Sequence, residues 1–304
     1  VFDLELSWVL PAIASPFVYA LVTIGDKWIL SSLKLRIESF NLFVGIIQLS
    51  VAISILLLLG IPDAPFSSIA KSITGGLLWG VYLIVLFWAL RREQMGRIVP
   101  VSQTSPVFAA ILGVIFLGEH LEWWGWFAVL LVVGGAAIVS AEPKQILSGG
   151  FSKVYLYVIA GAALVGLAQV LLKTSSEDLN VWHNMSFRGI GLFTTLALPF
   201  LRPSIVRDLG IFLSNRKTAV PILFIEGVGP IFGNAFLLLA LANGPVSLVS
   251  ALLGTRPVFI LIITLVFAPF AKRALAEKFT RADIVTKGLS TAAVVGGIVL
   301  IALA

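Results

Sequence analysis

The chain reads as long apolar runs separated by short polar connections. Ten runs stand out, at about 7–29, 40–60, 71–90, 98–118, 123–141, 154–173, 183–201, 218–241, 247–270 and 284–303. Each is close to the ~20 residues that an α-helix needs to cross ~30 Å of hydrocarbon. The pattern predicts an integral membrane protein of the multi-pass type.

The runs repeat. Ala89–Leu90 followed by Pro106-Val107-Phe108 matches Ala240–Leu241 followed by Pro257-Val258-Phe259 without a gap, at a constant shift of 151 residues. Lys27 ends the first run and Lys173 the sixth. Val132-Val133-Gly134-Gly135 in the fifth resembles Val294-Val295-Gly296-Gly297 in the tenth. Runs one to five therefore pair with runs six to ten. A tandem unit with an odd number of spans enters the membrane the second time from the opposite side. The expected fold class is thus an all-α membrane protein of ten transmembrane helices, as two inverted five-helix repeats. Residues 1–142 form the first repeat, 143–153 a linker and 154–304 the second. This is the usual blueprint of a secondary transporter.

Composition removes most other classes. Of 304 residues, 59% are hydrophobic and 12% charged, whereas soluble domains run near a quarter charged. Cysteine is absent, which excludes disulfides, thiol nucleophiles and cysteine metal sites. His120 and His183 are too few for a multi-histidine metal centre. No P-loop, nucleophile–base pair or metal set is present, so no catalytic residue, enzyme activity, cofactor or ATP dependence is expected. The N-terminal residues carry Asp3 and Glu5 ahead of the first lysine, Lys27, which does not match a cleavable signal.

The net charge of +6 reports topology instead of nucleic-acid binding. The connections 1–2, 3–4, 5–6, 7–8 and 9–10 hold fifteen lysines and arginines, against Lys71 and Lys173 in the other connections. That bias predicts a cell (inner) membrane protein with the first set in the cytoplasm and both termini outside. Pro203–Asn215 alternates apolar and charged positions, and is read equally as a helix on the membrane surface or as a plain loop.

Ionisable groups inside spans cost about 2.5–3.5 kcal/mol each on insertion scales, so each needs a reason. Glu226 lies about eight residues into span eight, before Gly227, Gly229, Pro230, Gly233 and Asn234. Pro230 cannot donate to the Glu226 carbonyl, so a loosened helix with a cation or proton site is expected there. Burial favours the protonated carboxyl, which suits proton coupling; a structural ion pair with Arg256 is the alternative. Arg256 sits about nine residues into span nine, at a similar depth from the other face. Its guanidinium could hold a carboxylate or phosphate. Ser102, Gln103 and Thr104 form a polar run between Pro100 and Pro106, the repeat counterpart of Gly254-Thr255-Arg256. With Arg256, Asn234, Tyr19 and Gln169 they are the candidate substrate-binding residues, against a bland role in interhelical hydrogen bonds. Asp26 and Lys27, near the cytoplasmic end of span one, are the candidate gate, or else mark the interface. Arg188 is expected to snorkel near the outer end of span seven.

Arg97-Ile-Val-Pro-Val-Ser-Gln-Thr-Ser-Pro-Val-Phe108, continuing to Phe116-Leu-Gly-Glu119 and a fifth apolar span, resembles the EamA-type branch of the drug/metabolite transporter superfamily. Arg256-Pro-Val-Phe259 fits the same pattern in the second half, with Glu277 loosely replacing Glu119. The resemblance implies two inverted five-helix bundles around a central cavity with alternating access. Better-known relatives keep both termini inside. Relatives move amino acids, nucleotide sugars, drugs or other metabolites. The expected function is a secondary transporter of a small polar organic solute, with proton coupling through Glu226 or facilitated exchange. The expected partners are that small-molecule substrate and the lipid bilayer, and a homodimer is compatible with the sequence. A flippase for a lipid or lipid-linked headgroup, and a non-transporting subunit or receptor, remain as alternatives.

Overall fold

A computed structural model describes residues 6–32, 35–93, 95–140, 152–267 and 281–303. Among these residues every regular element is helical. In chain order the α-helices are α1 Leu6–Ser32, α2 Ile37–Leu59, α3 Phe66–Leu90, α4 Met95–Ser102, α5 Ser105–Leu117, α6 Trp123–Ser140, α7 Lys153–Ser175 and α8 Val181–Leu196. A 3-10 turn, Leu198–Phe200, leads to α9 Pro203–Ser214. Then come α10 Arg216–Ile222, a π-helical turn Leu223–Val228, α11 Gly229–Asn243, α12 Val246–Leu253, α13 Arg256–Phe267 and α14 Arg281–Leu303. Seven helical segments are long and apolar enough to cross a membrane, or eight if α8 and α9 count as one bent span. Trp123–Val139 and Gly288–Ile298 are shorter apolar helices. The 143–151 part of the expected linker and Glu277 lie outside the described residues.

The connections sort to two ends. At one end Arg91 pairs with Glu38 at 2.9 Å, and Ser39 donates to Asp208 at 2.5 Å. At the other end His183 Nε2 meets the Gly60 carbonyl at 3.1 Å, and Ser68 bonds Asp178. Gly60 ends α2 at φ 78°, a left-handed stop that its missing Cβ permits, and its amide reaches back to Leu56. Span seven is shorter than the sequence suggests. Its helix ends at Leu196, and the chain turns by 108° into α9. Pro203–Asn215 is therefore largely helical, and its Ile205 and Leu209 pack beneath it in a cluster with Phe40, Phe43 and Ile222.

Two interfaces use glycine to bring backbones together. A Cβ on Gly76 or Gly191 would collide with the Arg188 or Ile73 carbonyl, and one on Gly80 with Thr195 Oγ1. These glycines allow α3 and α8 to approach closely, a packing device common in membranes. The Val-Val-Gly-Gly segments of α6 and α14 face each other reciprocally. A Cβ on Gly135 would lie 2.6 Å from Val294 Cγ2, and a Cβ on Gly297 would lie 2.6 Å from Val132 Cγ2. Beside this contact is an apolar cleft of about 330 Å³, bordered by Leu130, Gly134, Leu289 and Ala293 and by none of the polar groups described below.

Spans four and nine are broken at repeat-equivalent positions. Gln103–Thr104 separates α4 from α5, and Gly254–Thr255 separates α12 from α13. Thr104 Oγ1 donates to the Val101 carbonyl at 2.8 Å, and Thr255 Oγ1 to the Leu252 carbonyl at 2.7 Å. Each hydroxyl thus adds a second hydrogen bond to the carbonyl that already accepts its own backbone amide.

The Leu-Gly-Glu segment has a physical role. Gly118, at φ 64°, ends α5 in a left-handed cap and turns Glu119 toward the second half. The Glu119 carboxylate accepts from the amides of Val246, at 2.5 Å, and Ser247, at 3.0 Å, at the start of α12. Gly113 leaves the room, since a Cβ there would lie 2.7 Å from Glu119 Oε2. A carboxylate on two free amides at a helix N-terminus is a charged cap. Lys173 Nζ donates to the Ala242 carbonyl at 3.1 Å, so the turn between α11 and α12 is held on both sides. Glu119→Ala is expected to destabilise the protein by about 0.5–2 kcal/mol. A thermal or denaturant melt in detergent checks this, and an unchanged midpoint would show that the cap contributes nothing.

Candidate functional site

The polar groups of α1 lie on one face. Ser15, Tyr19, Thr23 and Asp26 follow the spacing that stacks side chains along a helix, and this face meets the second half. Ser15 Oγ donates to the Gly233 carbonyl at 2.9 Å. Gly233 leaves space for the Tyr19 ring, since a Cβ there would sit 2.9 Å from Tyr19 Cε2. Gly229 is close to Val22 in the same way, and Gly25 to Ile225. The glycines of span eight therefore seat α11 on α1. They do not open the helix. Between Arg216 and Asn243 the span stays helical, and Pro230 is accommodated by the π-helical turn that contains Glu226. Such turns occur frequently at functional sites.

Tyr19, Asn234 and Arg188 form the centre of the cluster. Tyr19 Oη donates to Asn234 Oδ1 at 2.5 Å, and Arg188 Nη1 donates to the same oxygen at 2.6 Å. Arg188 is 2% exposed and its Cζ lies 4.9 Å from the Trp79 ring centroid. The expectation that Arg188 snorkels to the interface is overturned. Because α8 is only 16 residues long, its eighth residue sits at mid-helix, and the 108° turn takes residues 197–201 out of the expected span. Arg188 Nε is buried with no hydrogen-bond partner.

Arg256 opens α13, directly after the break in span nine. Its Nε donates to Thr23 Oγ1 at 2.8 Å and its Nη2 bonds the same oxygen. Thr23 in turn donates to the Tyr19 carbonyl at 2.7 Å. The Arg256 Cζ stands 5.6 Å from the centroid of the Tyr19 ring, so Tyr19 has one guanidinium at its hydroxyl and a second near its face.

Glu226 is 4% exposed, and it faces Asp26. The two carboxyl groups are within hydrogen-bonding reach of each other, with Arg256 in electrostatic range of both. The direct Glu226–Arg256 ion pair is not formed; Arg256 turns its Nε and Nη2 to Thr23. Equal depth brought these two groups to one level, but lateral packing of α1 gave Glu226 a different neighbour. The side chain of Lys27 lies outside the described residues.

The other candidates are divided. Tyr82 of α3 lies within hydrogen-bonding reach of Ser102 and in electrostatic range of Arg256, which links the break in span four to the cluster. Ser102 Oγ also donates to the Val99 carbonyl at 2.7 Å. Gln103 and Thr104 are half-buried at the break itself. Gln169 is engaged with Ser250 Oγ, an α7–α12 contact outside the Tyr19–Asn234 group. Among the described residues no group of three or more histidines or acids is placed to hold a metal.

Comparison with known proteins gives the lineage. The EamA-like transporter family model matches residues 6–141. An uncharacterized transporter in the cobO 3' region of Sinorhizobium sp is 35% identical over 65 residues, 21% of this chain and 46% of that protein. The pseudopaline exporter CntI of Pseudomonas aeruginosa is 22% identical over 183 residues, 58% of each chain. The chain thus spans about half the length of these two relatives. A probable 4-amino-4-deoxy-L-arabinose-phosphoundecaprenol flippase subunit, ArnE, of Pseudomonas fluorescens is 30% identical over 80 residues, 24% of this chain and 70% of that protein. A solved crystal structure of a protein 16% identical in sequence has the same fold, with a TM-score of 0.69 over 97% of this chain and 96% of that one. Apolar helices in series, the Pro-Val-Phe and Leu-Gly-Glu elements and these relatives agree, and the chain belongs to the EamA-like transporter family of integral, multi-pass membrane proteins.

Proposed function

We propose that this chain is a secondary transporter that moves a small polar organic solute by alternating access, with proton coupling at Asp26 and Glu226. One observation carries the reading. Side chains from both halves, Tyr19, Thr23 and Asp26 with Arg188, Glu226, Asn234 and Arg256, converge at the level of the broken span nine. Polar groups at a discontinuous helix between two repeats form the usual solute site of such proteins. Two buried carboxyls facing each other do not both stay ionised, so the Asp26–Glu226 pair is suited to hold a proton and release it.

The architecture in this proposal is ten crossing helices in two inverted five-helix repeats. The equivalent breaks in spans four and nine support it, as does the reciprocal α6–α14 contact. So do the matched packings of α3 on α7 and α1 on α11. The Lys/Arg-rich connections face the cytoplasm, and the protein resides in the inner membrane. Orientation is directly testable because the chain has no cysteine. In intact cells a membrane-impermeant maleimide is expected to label His120→Cys and to spare Arg207→Cys until lysis; the reverse result inverts the topology.

The transport reading is tested in proteoliposomes loaded with small polar metabolites. Saturable flux that becomes concentrative under a pH gradient supports it. The name of the ArnE relative favours a second reading, flipping of a lipid-linked headgroup. Bleaching of headgroup-labelled lipid in the same vesicles, without soluble flux, would establish that one instead.

A further inference from the structure

We infer that the solute carries an oxyanion, a carboxylate or phosphate group, bound between Arg188 and Arg256 beside Tyr19. This rests on the reading of the cluster as a solute site. A buried guanidinium without a counter-charge is costly, and proteins normally pair it. Here neither arginine has an acidic partner at ion-pair distance among the described residues. The Arg91–Glu38 ion pair lies away from both arginines, at the end of the molecule. The nearest carboxyls, Asp26 and Glu226, face each other. Arg188 is satisfied on one side only: Nη1 binds Asn234 Oδ1, a ring covers the flat face, and Nε is left without a partner. Nε and the Nη beside it form the edge that grips an oxyanion bidentately. Arg256 contributes the second positive charge across the Tyr19 ring. The Asp26–Glu226 pair with one proton carries a single negative charge, so two cations flanking one tyrosine repel cationic solutes and leave a neutral solute's site with one positive charge in excess. An anion completes the set.

The test uses the full-length protein in detergent and in nanodiscs. Succinate and inorganic phosphate are expected to raise the melting temperature, because a ligand that binds only the folded state stabilises it. Succinamide, the uncharged match of succinate, is expected not to. Arg188→Lys keeps the charge and loses the fork, and should weaken apparent affinity by about tenfold or more. Arg188→Met should melt higher than wild type without added anion and lose the response to succinate and phosphate. A lower melting point for Arg188→Met with the anion response intact would make the arginine structural and overturn the proposal. Equal shifts from succinamide, or no anion shift in wild type in either setting, would also overturn it. A shift seen only in nanodiscs containing phosphatidic acid keeps the oxyanion and identifies its source as a lipid headgroup. Flux separates this inference from the one beneath it. Saturable transport of neutral solutes alone would remove the anion and retain the transporter. Anion binding with no flux of any solute would do the opposite.

Discussion

Glu226→Gln is expected to abolish solute accumulation driven by a pH gradient while leaving solute exchange at equal pH intact. The carboxamide keeps the volume of the side chain and still hydrogen-bonds to Asp26, so the π-helical turn is not disturbed. It cannot gain or lose a proton. Exchange needs only the loaded carrier to reorient, whereas accumulation needs a proton to bind on one side and leave on the other. Asp26→Asn should reproduce the loss, because a proton shared by two carboxyls is lost with either one. The measurement is uptake of labelled solute into proteoliposomes with and without an imposed gradient, beside counterflow at a single pH. Undiminished gradient-driven accumulation by Glu226→Gln would remove the proton from the mechanism and leave facilitated exchange.

Gly76→Ala is expected to be among the most damaging single added methyl groups at the described glycines. The added carbon would lie 2.1 Å from the Arg188 carbonyl oxygen, well inside van der Waals contact, so backbone must move. Overpacking of this kind costs about 1–3 kcal/mol, and the upper end is expected because no flexible side chain can yield. The displacement also reaches function. Arg188 is anchored on Asn234, and a shift of α8 of a few tenths of an ångström lengthens that 2.6 Å bond. Thermal melts should show the loss of stability, and flux should fall beyond what the loss of folded protein explains. Gly134→Ala is the control, because a Cβ there meets nothing within 4 Å. If the two variants melt alike, the close α3–α8 approach is not what limits stability.

Much of this molecule was legible because hydrocarbon imposes a simple grammar. The described parts of the ten apolar runs are mostly helical, with seven segments long and apolar enough to cross a membrane, and the polar interval between Pro100 and Pro106 marked a break that recurs 151 residues later at Gly254–Thr255. The meeting of Tyr19 with Asn234 and the nearness of Arg256 came from candidates named for polarity and depth alone. What remained hidden is lateral. Depth along a helix can be counted from sequence, but the neighbour at that depth depends on rotation and packing. Glu226 therefore faces Asp26, and Arg256 bonds Thr23. Thr23 carried a readable signal, four residues after Tyr19 on the polar face of α1. Arg188 is buried where its place in the apolar run suggests the interface, because the helix stops at Leu196 and turns, which sets Arg188 at mid-helix. The π-helical turn left no mark beyond Glu226 followed by Pro230 four residues later, which fits a broken helix equally well.

The Glu119 cap has a bearing on how the halves move. Its carboxylate belongs to the turn after α5 and its two amides to the start of α12, so one residue buttons the first half to the second at the end opposite Arg91 and Glu38. Any motion that parts these turns strips a negative charge from two helix-end donors. A contact of that size, about 0.5–2 kcal/mol, is enough to bias a two-state equilibrium by several-fold. In the proposed transport cycle the acid of the Leu-Gly-Glu motif would act as a latch, setting how often that end of the protein stands open without touching the solute.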